Sequence, residues 1–376
     1  MTVLAPDRDQ RPGGRWSSPS LLGDLLRLAA IERATAHVVA GWAPKVAGLD
    51  DKLRLAGELE GCLTRATAVR NHVLALLERD AEGLTARVAW VEPLRRLDVA
   101  AHGASSVLDA ATNGALPFLL ARYEELDAVL DPLYDARLAA TVRAAIESLA
   151  DACDRDEPAD HPLRRELEAA WSAGQEDRGD GADQRVALDE VLWAPADRVP
   201  FPARPEGRRR PLPGARAHLR SSSRLTGEDI AGELNDNVMA ELCALELLAR
   251  CSYEHPDESW SFHLALARHV SDEQRHAAIF RRLLVQRGYD ESTLPQHGAN
   301  YEWAYEFPEC EVGGKRELVW RILVMCTVLE ALAVDKLPVE IATRDWLDQP
   351  DIARALDYIA TDELFHTENG LRLTRD

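Results

Sequence analysis

The sequence predicts an all-α protein built as two helical bundles in tandem. Three observations predict it. The chain has 376 residues, room for two ordinary domains. It is 46 % hydrophobic but only 6 % aromatic, the Ala/Leu-rich balance of helical proteins. In long segments of both halves apolar residues recur every three or four positions, and the breaks between them carry Gly, Pro or Asp.

In chain order, residues 1–17 read as a tail. Residues 18–154 read as about four helices, among them LLGDLLRLAAIERATAHVVA and DDKLRLAGELEGCLTRATAVRNHVLALLER, sufficient for one bundle. Over 155–224 the character changes. The early RELEAAWSAG still has a helical pattern, but prolines 195, 200, 202, 205, 211 and 213 then alternate with arginines. Eight Arg against two acids in 195–224 give this stretch six excess positive charges. It reads either as a charged Pro-rich linker or as a segment that seeks an acidic surface. Residues 225–376 form the second helical region, opened by Thr226 and Asp229 in a T-x-x-D cap. Its helices are expected at about 227–252, 258–287, 315–336 and 349–371. Two hairpins joined by a long crossover are one of the standard four-helix topologies.

Lys+Arg 44 against Asp+Glu 64 leaves a net charge of −20. That weighs against a protein whose main task is gripping nucleic acid, and it disfavours an anionic membrane surface. No run of about 18 apolar residues predicts a transmembrane helix, and the first residues lack the apolar core of a signal peptide. The six cysteines form no CxxC pair, which suits a reducing cytoplasm rather than a disulfide framework.

The chemistry is concentrated in two quartets, Glu273-Gln-Arg-His276 and Glu363-Leu-Phe-His366, each preceded by an aspartate, Asp272 and Asp362. Glu and His three apart share one helix face. That face is otherwise Phe262, Leu266, Val270, Ala277, Phe280 and Leu284 on one helix, and Ile352, Leu356, Ile359 and Gly370 on the other. Ionisable pairs in a buried stripe need compensation, and a metal ion is the simplest. A dinuclear site needs one more Glu from each remaining helix. Glu330, which follows Val319, Leu323 and Cys326 on its stripe, lies 33 residues before Glu363. Glu241 lies 32 before Glu273 and shares a stripe with Leu234, Val238, Leu245 and Leu248; Glu246 is the alternative ligand or a supporting residue. The expected ligands are thus Glu241, Glu273, His276, Glu330, Glu363 and His366. Such an oxygen-rich set suits Fe(II) or Mn(II) better than zinc. Asp272 and Asp362 are expected to hold the histidine N–H groups. His269, one turn before Glu273, reads as an ordinary core or surface histidine rather than a seventh ligand, and Arg275 as a salt-bridge partner of a bundle carboxylate.

This pattern resembles the ferritin-like diiron-carboxylate superfamily over roughly residues 226–373. The Asp-Glu-x-Arg-His form is similar to that of bacterial multicomponent monooxygenases. AELCALELLA, VLEALAVDKLP and DELFHTENG are similar to an uncharacterised bacterial family of ferritin-like proteins. The resemblance implies two Fe ions, or Mn/Fe, that react with O2 and oxidise a small organic substrate by hydroxylation, N-oxygenation, desaturation or cleavage. It also implies an electron donor such as a ferredoxin or reductase. The first half resembles a degenerate ferritin-like bundle: Glu32 stands where a ligand would, but the 32-residue offset lands on Thr64, the histidine position on Thr67, and the last helix reads Glu147-Ser-Leu-Ala150. It is expected to bind no metal and to serve packing or homodimer formation. Tyr301, Trp303, Tyr305 and Phe307 in the crossover would either cover a substrate pocket or pack on the bundle. Competing readings are a ferroxidase, a tRNA hydroxylase served by the basic linker, and a scaffold with a vestigial site.

Overall fold

A computed structural model describes residues 18–77, 85–99, 103–131, 135–153, 160–176, 185–188, 193, 227–290 and 314–375. The N-terminal tail, the Pro/Arg-rich stretch, the crossover aromatics and Cys310 lie outside the described residues. The all-α expectation holds: among the described residues the only strands are β1 (Thr85–Arg87) and β2 (Arg185–Ala187), an antiparallel pair with Ala86 opposite Val186.

The described residues fall into two compact units. One takes residues within 1–38 and 61–194, the other those within 39–60 and 195–376. The break after residue 194 falls inside the stretch 155–224 read as linker, while residues 39–60, read with the first bundle, group with the second. Helix α1 (Ser18–Trp42) starts in the first unit and helix α2 (Leu49–Leu77) ends in it, but the tip of their hairpin belongs to the second. Two interactions tie it there. The Lys52 ammonium pairs with Glu246 and donates to the carbonyls of Ala43 (3.2 Å) and Pro44 (3.3 Å). Gly41 lies so close to the Tyr253 ring that a Cβ would meet it at 2.5 Å.

The first unit continues with α3 (Glu92–Val99), α4 (104–127, with a π-helical stretch Ala110–Ala115), α5 (Ala136–Ala152) and α6 (Pro162–Glu176). Five helices therefore occupy the stretch read as about four, because α3 is too short to carry a clear period. α6 occupies the helical start of the segment read as linker. Its core includes Leu28, Ile31, Leu63, Phe118, Val142 and Leu149.

The second unit carries α7 (Gly227–Glu254), α8 (Trp260–Gln286), α9 (315–346) and α10 (Pro350–Leu373), within a few residues of expectation except that α9 runs ten residues further. Local chemistry sets the boundaries. Ser259 caps α8 by accepting from the Phe262 N–H (3.2 Å), and Pro350 opens α10 at a position that needs no N–H donor. α8 ends in a Schellman turn: Gly288 adopts φ +80°, Tyr289 N–H reaches the Leu284 carbonyl and Gly288 N–H that of Val285. α9 ends the same way with Asp348 at φ +57° and Gln349 N–H on the Arg344 carbonyl. α7 pairs with α8 and α9 with α10, giving the two expected hairpins.

α9 departs from expectation in its middle. Residues Leu323–Leu329 form π turns between two α-helical stretches, Lys315–Ile322 and Glu330–Trp346. A π turn takes up an extra residue and rotates what precedes it. Val319 and Leu323, expected on the Glu330 stripe, are therefore exposed, while Leu318 and Ile322 are buried in their place. Cys326 stays inward, and α10 crosses it at Gly370, where a Cβ would sit 2.6 Å from both the Cβ and the carbonyl oxygen of Cys326. Because the obstacle is backbone, Gly370→Ala should cost about 1–3 kcal/mol and lower the thermal midpoint by several degrees. Gly232, with open space at its Cβ, supplies the control: Gly232→Ala in α7 should be neutral or stabilise by about 0.5–1 kcal/mol.

Candidate metal centre

The four long helices of the second unit each send carboxylates or imidazoles to one buried locus. Glu241 comes from α7, His269, Glu273 and His276 from α8, Glu330 from α9, and Glu363 and His366 from α10. The apolar residues expected to share these stripes on α7, α8 and α10 are all buried, so the amphipathic pattern delivers the polar groups inward. The donor atoms form two quartets, each within 4.8 Å: His269, Glu273, Glu330 and His366, and Glu241, Glu273, His276 and Glu363. Glu273 belongs to both.

Ring orientation is fixed by a crossed arrangement of the aspartates. His276 Nε2 of α8 lies 3.0 Å from Asp362 Oδ2 of α10, and His366 Nε2 of α10 lies 3.2 Å from Asp272 Oδ2 of α8. Each aspartate thus holds the histidine of the opposite hairpin. Arg275 joins the pair, donating to Asp272 Oδ1 (2.7 Å) and Asp362 Oδ2 (3.0 Å). With Nε2 held, both histidines turn Nδ1 to the carboxylates. His276 Nδ1 is 3.5 Å from Glu273 Oε2, 3.5 Å from Glu363 Oε1 and 3.9 Å from Glu241 Oε2. His366 Nδ1 is 3.1 Å from Glu363 Oε2 and 3.3 Å from Glu273 Oε1.

Two residues sit otherwise than the sequence led us to expect. His269 is no ordinary core histidine. Its Nε2 lies 2.8 Å from Glu273 Oε1 and 3.5 Å from Glu330 Oε1, its ring stacks on His366 at 3.5 Å, and its Nδ1 faces Cys326 Sγ at 3.7 Å. The signal was present in the sequence, since an (i, i+4) step places His269 directly under Glu273. Glu246 does not reach the cluster; its carboxylate is taken by Lys52.

The electrostatics are those of acids packed together without enough positive charge. Burial, followed by the charge of Glu273, holds Glu241 well above the usual carboxylate range. Burial and the neighbouring Glu330 push Glu363 up to about 9. Burial raises Glu330 to about 7 against the hydrogen bond with Glu363. Burial also acts to neutralise His276, but the facing carboxylates of Glu241 and Glu273 prevail and push it up to about 12. Burial, then His366, holds His269 below the ordinary histidine value, hence neutral. Two buried atoms, Glu273 Oε2 and His276 Nδ1, have no hydrogen-bond partner although they face each other. Such orphans are costly in a protein interior, and cations between the quartets would satisfy both.

A cleft of about 240 Å³ reaches the cluster on its carboxylate side. Glu241, Glu330 and Glu363 line it and the three histidines do not. Its walls are apolar, with Ala240, Phe280, Met325, Leu337 and Ile359 among them, and Asn237, Lys336 and Glu340 add polar groups. Among the described residues no comparable His/Glu group occurs in the first unit. There Glu32 is buried against the Arg65 guanidinium at 2.7 and 3.1 Å. No helix of the described residues is long and apolar enough to cross a membrane, and no disulfide joins the described cysteines. No protein-family model, curated protein or solved structure matches the chain.

Proposed function

We propose that α7–α10 are a ferritin-like bundle holding two iron ions, and that the chain is a non-haem diiron oxidoreductase that uses O2 to oxidise a small organic substrate. One observation carries this: seven donors from four helices, six of them buried and Glu241 half-buried, form two quartets that share Glu273, with orphaned atoms aimed between them. Four carboxylates and three imidazoles fit Fe or Mn at both positions. Glu273 would bridge, with His269, His366 and Glu330 on one ion and Glu241, His276 and Glu363 on the other. Bound there, Fe(II) would supply the electrons that O2 activation requires.

The remaining tasks fall to the chain. Asp272 and Asp362, tied by Arg275, hold the Nε2–H of each imidazole, so that the proton shed on metal binding is the one on Nδ1. The apolar cleft admits an organic molecule to the carboxylate side and keeps water scarce beside the reacting atoms. A ferredoxin or reductase would restore the electrons. The first unit, in this reading, is a related bundle whose metal has been replaced by Arg65, and cysteines not joined by disulfides suit the cytoplasm.

The decisive measurement is iron loading followed by air. The enzyme reading expects about two irons per chain, O2 consumed in proportion to them, and no mineral. Ferric mineral far beyond two irons would establish a ferroxidase instead. The cleft favours the enzyme, since ferroxidation requires no organic-sized apolar opening.

Loading should also release protons. Ligands must shed them to bind a metal, and at neutral pH both His276, near 12, and Glu363, near 9, hold theirs. Uptake of metal at pH 7 should therefore liberate at least two protons, and affinity should rise with pH by about a hundredfold per unit. Titration in weakly buffered solution checks this; uptake without proton release would remove these two residues from the ligand set.

A further inference from the structure

Large apolar side chains exposed to solvent are concentrated on one hairpin. Of the fourteen among the described residues, ten lie between Val319 and Leu371, on α9 and α10. On α9, Leu332, Val339 and Trp346 stand seven residues apart and form one stripe along the helix. On α10, Tyr358 and Phe365 share a second, with Leu364 exposed beside them. Trp346 is 76 % exposed and Val339 67 %, values expected of neither core nor incidental surface. α7, by contrast, is buried nearly all round from Ala231 to Tyr253, with Gly41 and Lys52 of the α1–α2 tip packed on it.

We propose that the outer face of the α9–α10 hairpin is the contact between two copies of this chain. Three features select a second copy over other occupants. The first is area: the ten side chains expose on the order of 1,000 Å², against about 800 Å² per partner in a standard stable interface. The second is charge. In a chain of −20, the exposed ionic residues between 315 and 372 are five basic and six acidic, so this face meets its own image with little repulsion. A membrane or nucleic-acid surface would call for a basic excess. The third is shape. A shallow hollow of about 470 Å³ lies between Pro338, Val339 and Trp346 on α9, and aromatic rings stand out from α10. A hollow and a projection on the same face are what a two-fold axis needs to make an isologous contact.

The stripe also adjoins the cleft. Leu332 and Lys336 line the cleft and are themselves exposed, so the second copy would border its opening and restrict access to the carboxylates. This consequence, unlike the dimer itself, rests on the cleft being the route to the metal ions.

Sedimentation velocity of the full chain provides the test, with metal content measured on the same samples so that failure of the metal reading is seen separately. Wild type should sediment as a dimer at micromolar concentration. Val339→Glu with Trp346→Glu should weaken the dimer by roughly 30-fold or more while leaving the helical circular dichroism unchanged. Val285→Glu, 52 % exposed on α8, should remain dimeric. A monomeric wild type at 50–100 µM (about the upper range used for weak complexes), or a dimer broken by Val285→Glu and untouched by the α9 pair, would overturn the proposal.

Discussion

Glu273→Ala should empty both metal positions, whereas Glu241→Ala and Glu330→Ala should each weaken one. Glu273 is the only residue shared by the two quartets, and burial opposes its charge while His269 and His276 hold it well below the usual carboxylate range. It is thus the one carboxylate of the cluster held anionic by its histidine neighbours before any metal binds. Its removal also leaves His269 without its 2.8 Å partner and leaves a positively charged His276 facing two carboxylates that tend to stay protonated. Iron per chain should fall from about two to well below one, a loss of at least 100-fold in affinity at each position. Glu246→Ala makes the contrast. It strands the Lys52 ammonium, buried at 2 % exposure, so it should destabilise the second unit by about 3–5 kcal/mol without lowering the iron bound by the chains that remain folded. Metal analysis after desalting distinguishes the two. Equal iron in Glu273→Ala and wild type would refute the bridging role and, with it, a dinuclear centre.

The contrast between Glu241 and Glu246 also shows what the sequence could reveal and what it could not. The helices α7, α8 and α10 were legible because their apolar stripes run unbroken for six or seven turns, and Glu-x-x-His places both ligands on such a stripe. The offsets of 32 and 33 residues were legible because an antiparallel hairpin brings together residues equidistant from its turn. Offset alone could only favour Glu241, since the groove that takes Glu246 is made by Lys52, almost two hundred positions away. Likewise no local pattern announces the π turns at Leu323–Leu329. A period of 3.6 extrapolated back from Glu330 turned Val319 and Leu323 inward, where the wider turn brings them out. His269 was visible in position and misjudged in role, because a single histidine under a glutamate is common and only the approach of Glu330 and His366 from other helices makes it a donor.

In the first unit, Glu32→Ala should destabilise by about 3–5 kcal/mol and bind no less iron than wild type. The same hairpin geometry explains why. Counting 32 residues from Glu32 reaches Thr64, but 33 residues, the step from Glu330 to Glu363, reaches Arg65. Its guanidinium forms a bidentate pair with Glu32, while Nη1 donates to Ser148 at 3.1 Å and Nη2 approaches Cys62 at 3.3 Å. Burial works against that charge and Glu32 more than offsets it, so Arg65 is held above its ordinary value. A fixed cation thus stands opposite the carboxylate. Removing either partner leaves the other charge buried, and Arg65→Ala should cost about as much as Glu32→Ala. Removing both is different: Glu32→Leu with Arg65→Met replaces two desolvated charges by apolar volume, and should recover most of the loss or exceed wild type by about 1–4 kcal/mol. Urea unfolding followed by hydrogen exchange in α4 and α5 reads the first unit apart from the second. If the double variant were as unstable as the single ones, the pair would be making contacts beyond charge compensation. If Glu32→Ala instead lowered the iron content, a metal position in this half would have to be admitted, and Arg65 could no longer be its replacement.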